Sequence, residues 1–94
     1  MRVYKQTENY AMRDIMGSTV LIPSGSQILS ENVLVELNET AAFIYNKLSD
    51  EKTPDELVAA LLDEYDISEE RCAADVAAAL KKLVEINAAS EKEV

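Results

Sequence analysis

The sequence lacks histidine and tryptophan, and it has only one cysteine, two glycines and two prolines. The absence of histidine removes the commonest general base and metal ligand of proteins. A single cysteine cannot form an internal disulfide, and Cys72 lies among small apolar residues, so we predict a buried core thiol. The sequence has no signal-peptide core and no apolar run of about eighteen residues, which favours a cytoplasmic protein without membrane association.

Basic residues are also scarce, since nine Lys and Arg face eighteen Asp and Glu and give a formal net charge of −9. Such a charge repels phosphate backbones and anionic membranes, so nucleic acid is not an expected partner. The acidic clusters at residues 63–66 and 69–70 lack the glycine and the spacing of a calcium loop, so we predict a solvated surface and no metal site. A chain of 94 residues forms one small domain. We predict no catalytic residues and no cofactor, because a deep pocket is hard to build at this size.

The N-terminal third has the pattern of short strands. Two extended runs flank Gly17 and Ser18, which suit the centre of a type II′ hairpin turn, and Pro23 ends the second run. After a turn at residues 24–26 and a connection at residues 27–32, residues 33–37 alternate as a third strand. Residues 1–9 carry few apolar side chains and are expected to form a flexible arm.

Three amphipathic helices follow, and each has a recognisable start. Asn38 can cap the first helix, Thr53 begins a capping box with proline at the next position, and Ser68 can cap the third helix. Asn87 is predicted to end the third helix in the left-handed conformation, after which residues 88–94 should fray. The apolar stripe of the third helix comprises Cys72, Val76, Leu80 and Leu83.

These elements predict an α+β fold of the winged helix-turn-helix type, with a three-stranded antiparallel sheet followed by three α-helices. The sequence resembles the PqqD-like family over about residues 10–87, which we take as the domain. The resemblance is carried by Tyr10-Ala11-Met12-Arg13-Asp14-Ile15-Met16-Gly17, Val20-Leu21-Ile22-Pro23, Leu37-Asn38-Glu39-Thr40-Ala41-Ala42-Phe43-Ile44-Tyr45, Thr53-Pro54-Asp55-Glu56-Leu57, Glu64-Tyr65-Asp66-Ile67-Ser68 and Asp75-Val76.

The resemblance implies a non-catalytic precursor-peptide recognition element. Such a domain holds the leader segment of a ribosomally made peptide while a partner enzyme, often a radical S-adenosylmethionine (SAM) enzyme, modifies the core segment. It does not imply a particular pathway, because leader specificity lies in side chains that differ between subfamilies.

The candidate site lies where the resemblance places the groove, between the third strand and the third helix. An edge strand offers backbone groups that an extended peptide can join. On a helical wheel, one flank of the third helix carries a small alanine that leaves room for a bulky guest side chain, together with charged groups that can meet the guest. The predicted peptide-binding residues are Val33, Leu34, Val35, Glu36, Leu37, Arg71, Asp75, Ala78 and Lys82.

Each part of this site has a simpler interpretation. Arg71 and Asp75 are four residues apart and can pair with one another, and Leu34 can cover the sheet without any guest. Two other functions fit the predicted elements: a winged-helix DNA-binding or regulatory protein, against which the charge argues, and a docking partner of a larger enzyme that binds no peptide. The oligomeric state is open between a monomer and a strand-exchanged homodimer.

Overall fold

The computed structural model describes residues 1–24 and 34–94 of the chain. The described residues form strands β1 (Arg2–Gln6), β2 (Tyr10–Ile15), β3 (Ser18–Pro23), β4 (Val35–Leu37) and β5 (Ala89–Glu93), and helices α1 (Glu39–Lys47), α2 (Pro54–Glu64) and α3 (Glu69–Glu85). The predicted α+β class is confirmed, with a three-stranded antiparallel sheet of order β2-β3-β4 ahead of the helices. The predicted turn at Gly25 and Ser26, the connection at residues 27–32 and the position of Val33 lie outside the described residues.

The predicted hairpin is confirmed, but its turn lies one residue earlier than expected. β2 and β3 pair in register from Tyr10↔Pro23 to Ile15↔Ser18. The two residues between them, Met16 and Gly17, both have positive φ, at 52° and 86°. Two positive φ values define a type I′ turn, whose twist matches that of the flanking strands. The turn is therefore type I′ at residues 16–17, not type II′ at residues 17–18.

β4 is the short edge strand of the three-stranded sheet. It pairs with β3 through Thr19↔Leu37 and Leu21↔Val35. β4 begins at Val35, so its described part is shorter than the predicted strand at residues 33–37. Leu34 lies ahead of the strand and is 55% exposed. Leu37 is buried and ends the strand directly before α1.

The three predicted helix starts are confirmed. The Asn38 side chain accepts a hydrogen bond from the amide of Ala41 at 2.8 Å. Thr53 and Glu56 form the complete capping box, with side-chain to backbone distances of 3.2 and 2.9 Å. The hydroxyl of Ser68 accepts a hydrogen bond from the amide of Arg71 at 3.1 Å. Each helix thus begins where a side chain satisfies an amide that has no partner within the helix.

The core lies between the sheet and the inner faces of the helices. The predicted stripe of α3 is confirmed, because all four of its residues are buried, and Cys72 is a fully buried free thiol. The largest fully buried side chains are Leu21, Ile44, Leu48, Leu57, Leu61, Leu83, Val76 and Cys72. This core holds α3 beside the sheet at the β4 edge.

Both ends of the chain form strands, which corrects the expectation of a flexible arm at residues 1–9 and a frayed tail at residues 88–94. β1 and β5 form a two-stranded antiparallel sheet, here called the terminal ribbon, in register from Arg2↔Glu93 to Gln6↔Ala89. Ala89 is buried, and the amide of Gln6 donates to the carbonyl of Leu48 at 2.7 Å, so the ribbon is fixed to the core. Asn87 has the predicted left-handed conformation, with φ of 64°, and turns the chain from α3 into β5.

Candidate functional site

A groove of about 480 Å³, here called the strand groove, lies between β4, the start of α1 and α3. It includes five of the nine predicted site residues. The lining residues are Glu36, Leu37, Asn38, Thr40, Ala41, Asp75, Ala78, Ala79 and Lys82. The capped boundary between β4 and α1 brings these elements together, because the chain turns from strand to helix at Asn38 without an intervening loop.

The strand groove lies at β4, the edge strand of the three-stranded sheet. Within residues 1–24 and 34–94, the only strand paired with β4 is β3. The terminal ribbon is a separate sheet and does not pair with β4. Unpaired amide and carbonyl groups at an edge strand are a template for another extended chain.

Small side chains form part of the groove wall. Ala78 on α3 is exposed, Ala79 beside it is buried, and Ala41 in the first turn of α1 is half-buried. Because none of the three extends beyond Cβ, an apolar side chain of a guest can enter between the strand and the helices. The arrangement suits contact with a side chain that projects from an added strand.

The charged residues of the strand groove have mixed sign. Glu36 stands on β4, while Asp75 and Lys82 stand on α3. Arg71 does not line the groove; its Nε lies 3.8 Å from Oδ2 of Asp75, with 71% of the Arg71 side chain and 28% of the Asp75 side chain exposed. Arg71 and Asp75 therefore pair with one another, as the simpler interpretation of their spacing predicts. Such an exposed ion pair contributes little stability. Lys82 forms no ion pair within the described part of the chain.

The remaining predicted residues lie beside the groove. Leu34 is exposed ahead of β4, Val35 packs against the core, and Val33 falls outside the described residues. Sequence reasoning missed four lining residues: Asn38, Thr40, Ala41 and Ala79. For Asn38 and Thr40 the cap at Asn38 was an available signal, because it placed the start of α1 directly at the end of the edge strand.

The groove residues offer several kinds of binding group. Two carboxylates and one ammonium group supply hydrogen bonds and charge, beside a backbone edge and small apolar side chains. Within residues 1–24 and 34–94, no group of three or more cysteine or acidic side chains is placed to hold a metal ion. No helix in those ranges has the length and apolar character needed to cross a membrane.

The fold and the strand groove define a small α+β domain in which a helix runs beside an open sheet edge. Residues 19–88 match the family model described as coenzyme PQQ synthesis protein D (PqqD). The chain belongs to the PqqD family. No protein of curated function matches the chain.

Two solved structures share the fold over nearly the whole chain. One is described as lasso peptide synthetase B1 complexed with the leader peptide, with a TM-score of 0.71, 24% identity and coverage of 93% of this chain and 96% of the other. The second is TbiB1 in complex with the TbiA(beta) leader peptide, with a TM-score of 0.70, 20% identity and coverage of 92% and 94%. The strands and helices of this chain are thus arranged as in these two proteins.

Proposed function

We propose that this chain is a non-catalytic adaptor that binds the leader segment of a ribosomally made precursor peptide in the strand groove and presents it to a modifying enzyme. The observation that carries the proposal is the open edge of β4 beside the groove wall of α3. Membership of the PqqD family supports it, as does the similarity to two proteins solved with leader peptides.

Affinity comes from the backbone of β4. A guest chain lying along this edge exchanges hydrogen bonds with the strand, each worth about 0.5–1.5 kcal/mol net. Backbone pairing is indifferent to the guest's side chains. It therefore holds a peptide in place without fixing which peptide is bound.

Selectivity comes from the wall opposite the strand. Alternate side chains of an added strand point to the same face, so every second guest residue can reach α3. An apolar side chain fits over Ala41 and Ala78, and an acidic one is attracted by Lys82. Glu36 favours a basic or amide group on the guest. The guest we expect is an extended segment in which residues two positions apart carry an apolar and an acidic side chain, so that both face α3.

In this proposal the modifying chemistry belongs to a partner enzyme, such as a radical SAM enzyme, and the strand groove supplies the groups that bind the peptide. Holding the leader in the groove leaves the following core segment outside it. The adaptor then raises the local concentration of that segment at the enzyme.

A heteronuclear titration tests the proposal. The ¹⁵N-labelled chain is mixed with a candidate leader segment, taken from a short precursor gene sought near its own gene, and saturable shifts are expected along β4 and the groove flank of α3. Ala78→Phe fills the groove and should weaken binding about tenfold. The control is Ala59→Phe, which changes an exposed alanine of α2 that lines neither this groove nor its rim.

The same titration separates the competing functions. Absence of shifts at β4, or an equal loss of affinity in Ala59→Phe, would contradict the proposal. Salt-sensitive shifts with duplex DNA would instead support nucleic-acid binding. Co-purification with a modifying enzyme regardless of any leader would support a docking protein that binds no peptide.

A further inference from the structure

A second groove of about 560 Å³ lies on the other flank of α3, facing α2 and the terminal ribbon, and is here called the ribbon groove. Its lining residues are Tyr4, Pro54, Asp55, Val58, Ala73, Val76, Ala77, Leu80, Lys81, Val84, Glu85 and Glu91. It shares no lining residue with the strand groove. The two grooves therefore lie side by side with α3 as their common wall.

The interior of the ribbon groove is apolar. Val76 and Leu80 form its buried floor, while Val58 and Val84 are half-buried and reach its surface from two different helices. Ala77 is exposed between them and leaves the groove open. Apolar surface of this kind gains free energy when another apolar segment removes it from water.

The rim of the ribbon groove is acidic. Asp55 comes from α2, Glu85 from α3 and Glu91 from β5, whereas the one basic lining residue is Lys81. Glu91 is paired with Arg2, but Asp55 and Glu85 form no ion pair within the described part of the chain. The chain as a whole carries a net charge of −9, so the rim field favours a cationic partner.

We infer that the ribbon groove docks the protein partner that receives the guest, through an apolar segment flanked by lysine or arginine. This inference rests on the proposed function, since it assigns the second surface that an adaptor needs. The acidic rim repels an acidic leader, so leader and partner do not compete for one site. Because both grooves use α3, the partner is held against the helix that holds the guest.

Two synthetic amphipathic helices serve as probes. They share the same leucine face, and their polar faces carry lysines in one and glutamates in the other. With the full ¹⁵N-labelled chain, the lysine peptide should give saturable shifts around Val58, Ala77 and Val84. The glutamate peptide should give none at the same concentration.

Variants at two exposed alanines of α3 provide the matched comparison. Ala77→Lys fills the ribbon groove and adds a positive charge, so it should weaken binding of the lysine peptide about tenfold. Ala74→Lys makes the same charge change at a position outside both grooves and should change the affinity by less than about twofold. Circular dichroism of both variants checks that the wild-type helix content is kept.

Three results would overturn the inference. They are equal binding of the glutamate peptide, an equal loss of affinity for the lysine peptide in Ala74→Lys, or shifts from the lysine peptide that map to the strand groove. Leader binding is measured on the same samples and should be unchanged in Ala77→Lys. If the wild-type chain binds the lysine peptide in the ribbon groove but binds no leader, the proposed function fails while the docking surface stands.

Discussion

The hydroxyl of Tyr4 donates a hydrogen bond to the carboxylate of Glu91 at 2.8 Å, joining β1 to β5 across 87 positions of sequence. Arg2 reaches the same carboxylate at 2.8 Å. The hydrogen bond from Tyr4, followed by the interactions with Arg2, lowers the pKa of Glu91 below its ordinary 4.5. The terminal ribbon is thus tied together by an ionised carboxylate.

Tyr4→Phe should raise the pKa of Glu91 toward its ordinary value, because the variant loses the largest contribution to the shift. A carboxyl group with a lowered folded pKa stabilises the fold above its unfolded pKa, and that stabilisation is lost as pH falls through the folded value. NMR titration of the Glu91 side chain in both proteins measures the change. An identical midpoint in Tyr4→Phe would show that the hydroxyl does not set this pKa.

The capping box of α2 gives a second prediction. Thr53→Ala should lower the free energy of unfolding by about 1 kcal/mol, measured by urea denaturation, whereas Thr53→Ser should retain most of the wild-type stability.

The carboxylate of Glu56 accepts a hydrogen bond from the backbone amide of Thr53, and this bond lowers the pKa of Glu56 below 4.5. The stabilisation of the fold by the Glu56 carboxylate is therefore present above pH 4.5 and is lost as the pH falls further. Glu56→Gln should remove this acid dependence.

The hairpin turn predicts a stabilising substitution. Met16 has a φ of 52° and is 99% exposed, so it adopts a left-handed conformation without burying its side chain. Met16→Asn should raise the free energy of unfolding by up to about 1 kcal/mol, since asparagine tolerates this conformation better.

Gly17→Ala is the companion variant and should destabilise the chain. A Cβ at Gly17 would meet no atom within 4 Å, so the cost would come from its φ of +86° alone. Thermal unfolding of the two variants should shift the midpoint in opposite directions. Equal stability of Met16→Asn and the wild type would show that the turn is not strained.

The buried thiol gives a fourth prediction. Cys72 is fully buried, so a thiol reagent should label the native chain only as fast as the chain opens. In unfolding concentrations of urea, labelling should become fast. Rapid labelling of the native chain would contradict the position of Cys72 in the core stripe of α3.

Local signals in the sequence accounted for the helices, and together with the family resemblance they gave five of the nine residues that line the strand groove. The caps at Asn38, Thr53 and Ser68 act within a few residues, so their residue types alone indicate where each helix begins. Helical period then placed Ala78 and Lys82 on one flank of α3, where the structure also has them. The position of Ala41 depends on how α1 packs against α3, and no local signal records this packing.

The features that sequence reasoning missed depend on distant partners. β5 has the sequence Ala-Ser-Glu-Lys-Glu, which has low strand propensity, and it forms a strand only because β1 lies beside it. The backbone amide of Tyr4 donates to the carbonyl of Lys52, and the amide of Lys52 donates to the carbonyl of Tyr4, which fixes that ribbon to the loop before α2. The ribbon groove exists because of this pairing, which is why its lining could not be read from any single segment.

The pairing of Arg2 with Glu93 also decides how the molecule responds to mechanical load. Both chain ends leave the ribbon at the same side, so a force that separates them acts on the first pair of residues and then on the next, instead of on all hydrogen bonds together. Closing so long a loop from an open chain costs about 4 kcal/mol of entropy, a cost that is smaller once the helices between the two strands are folded. Under tension the ribbon therefore opens from its Arg2–Glu93 end.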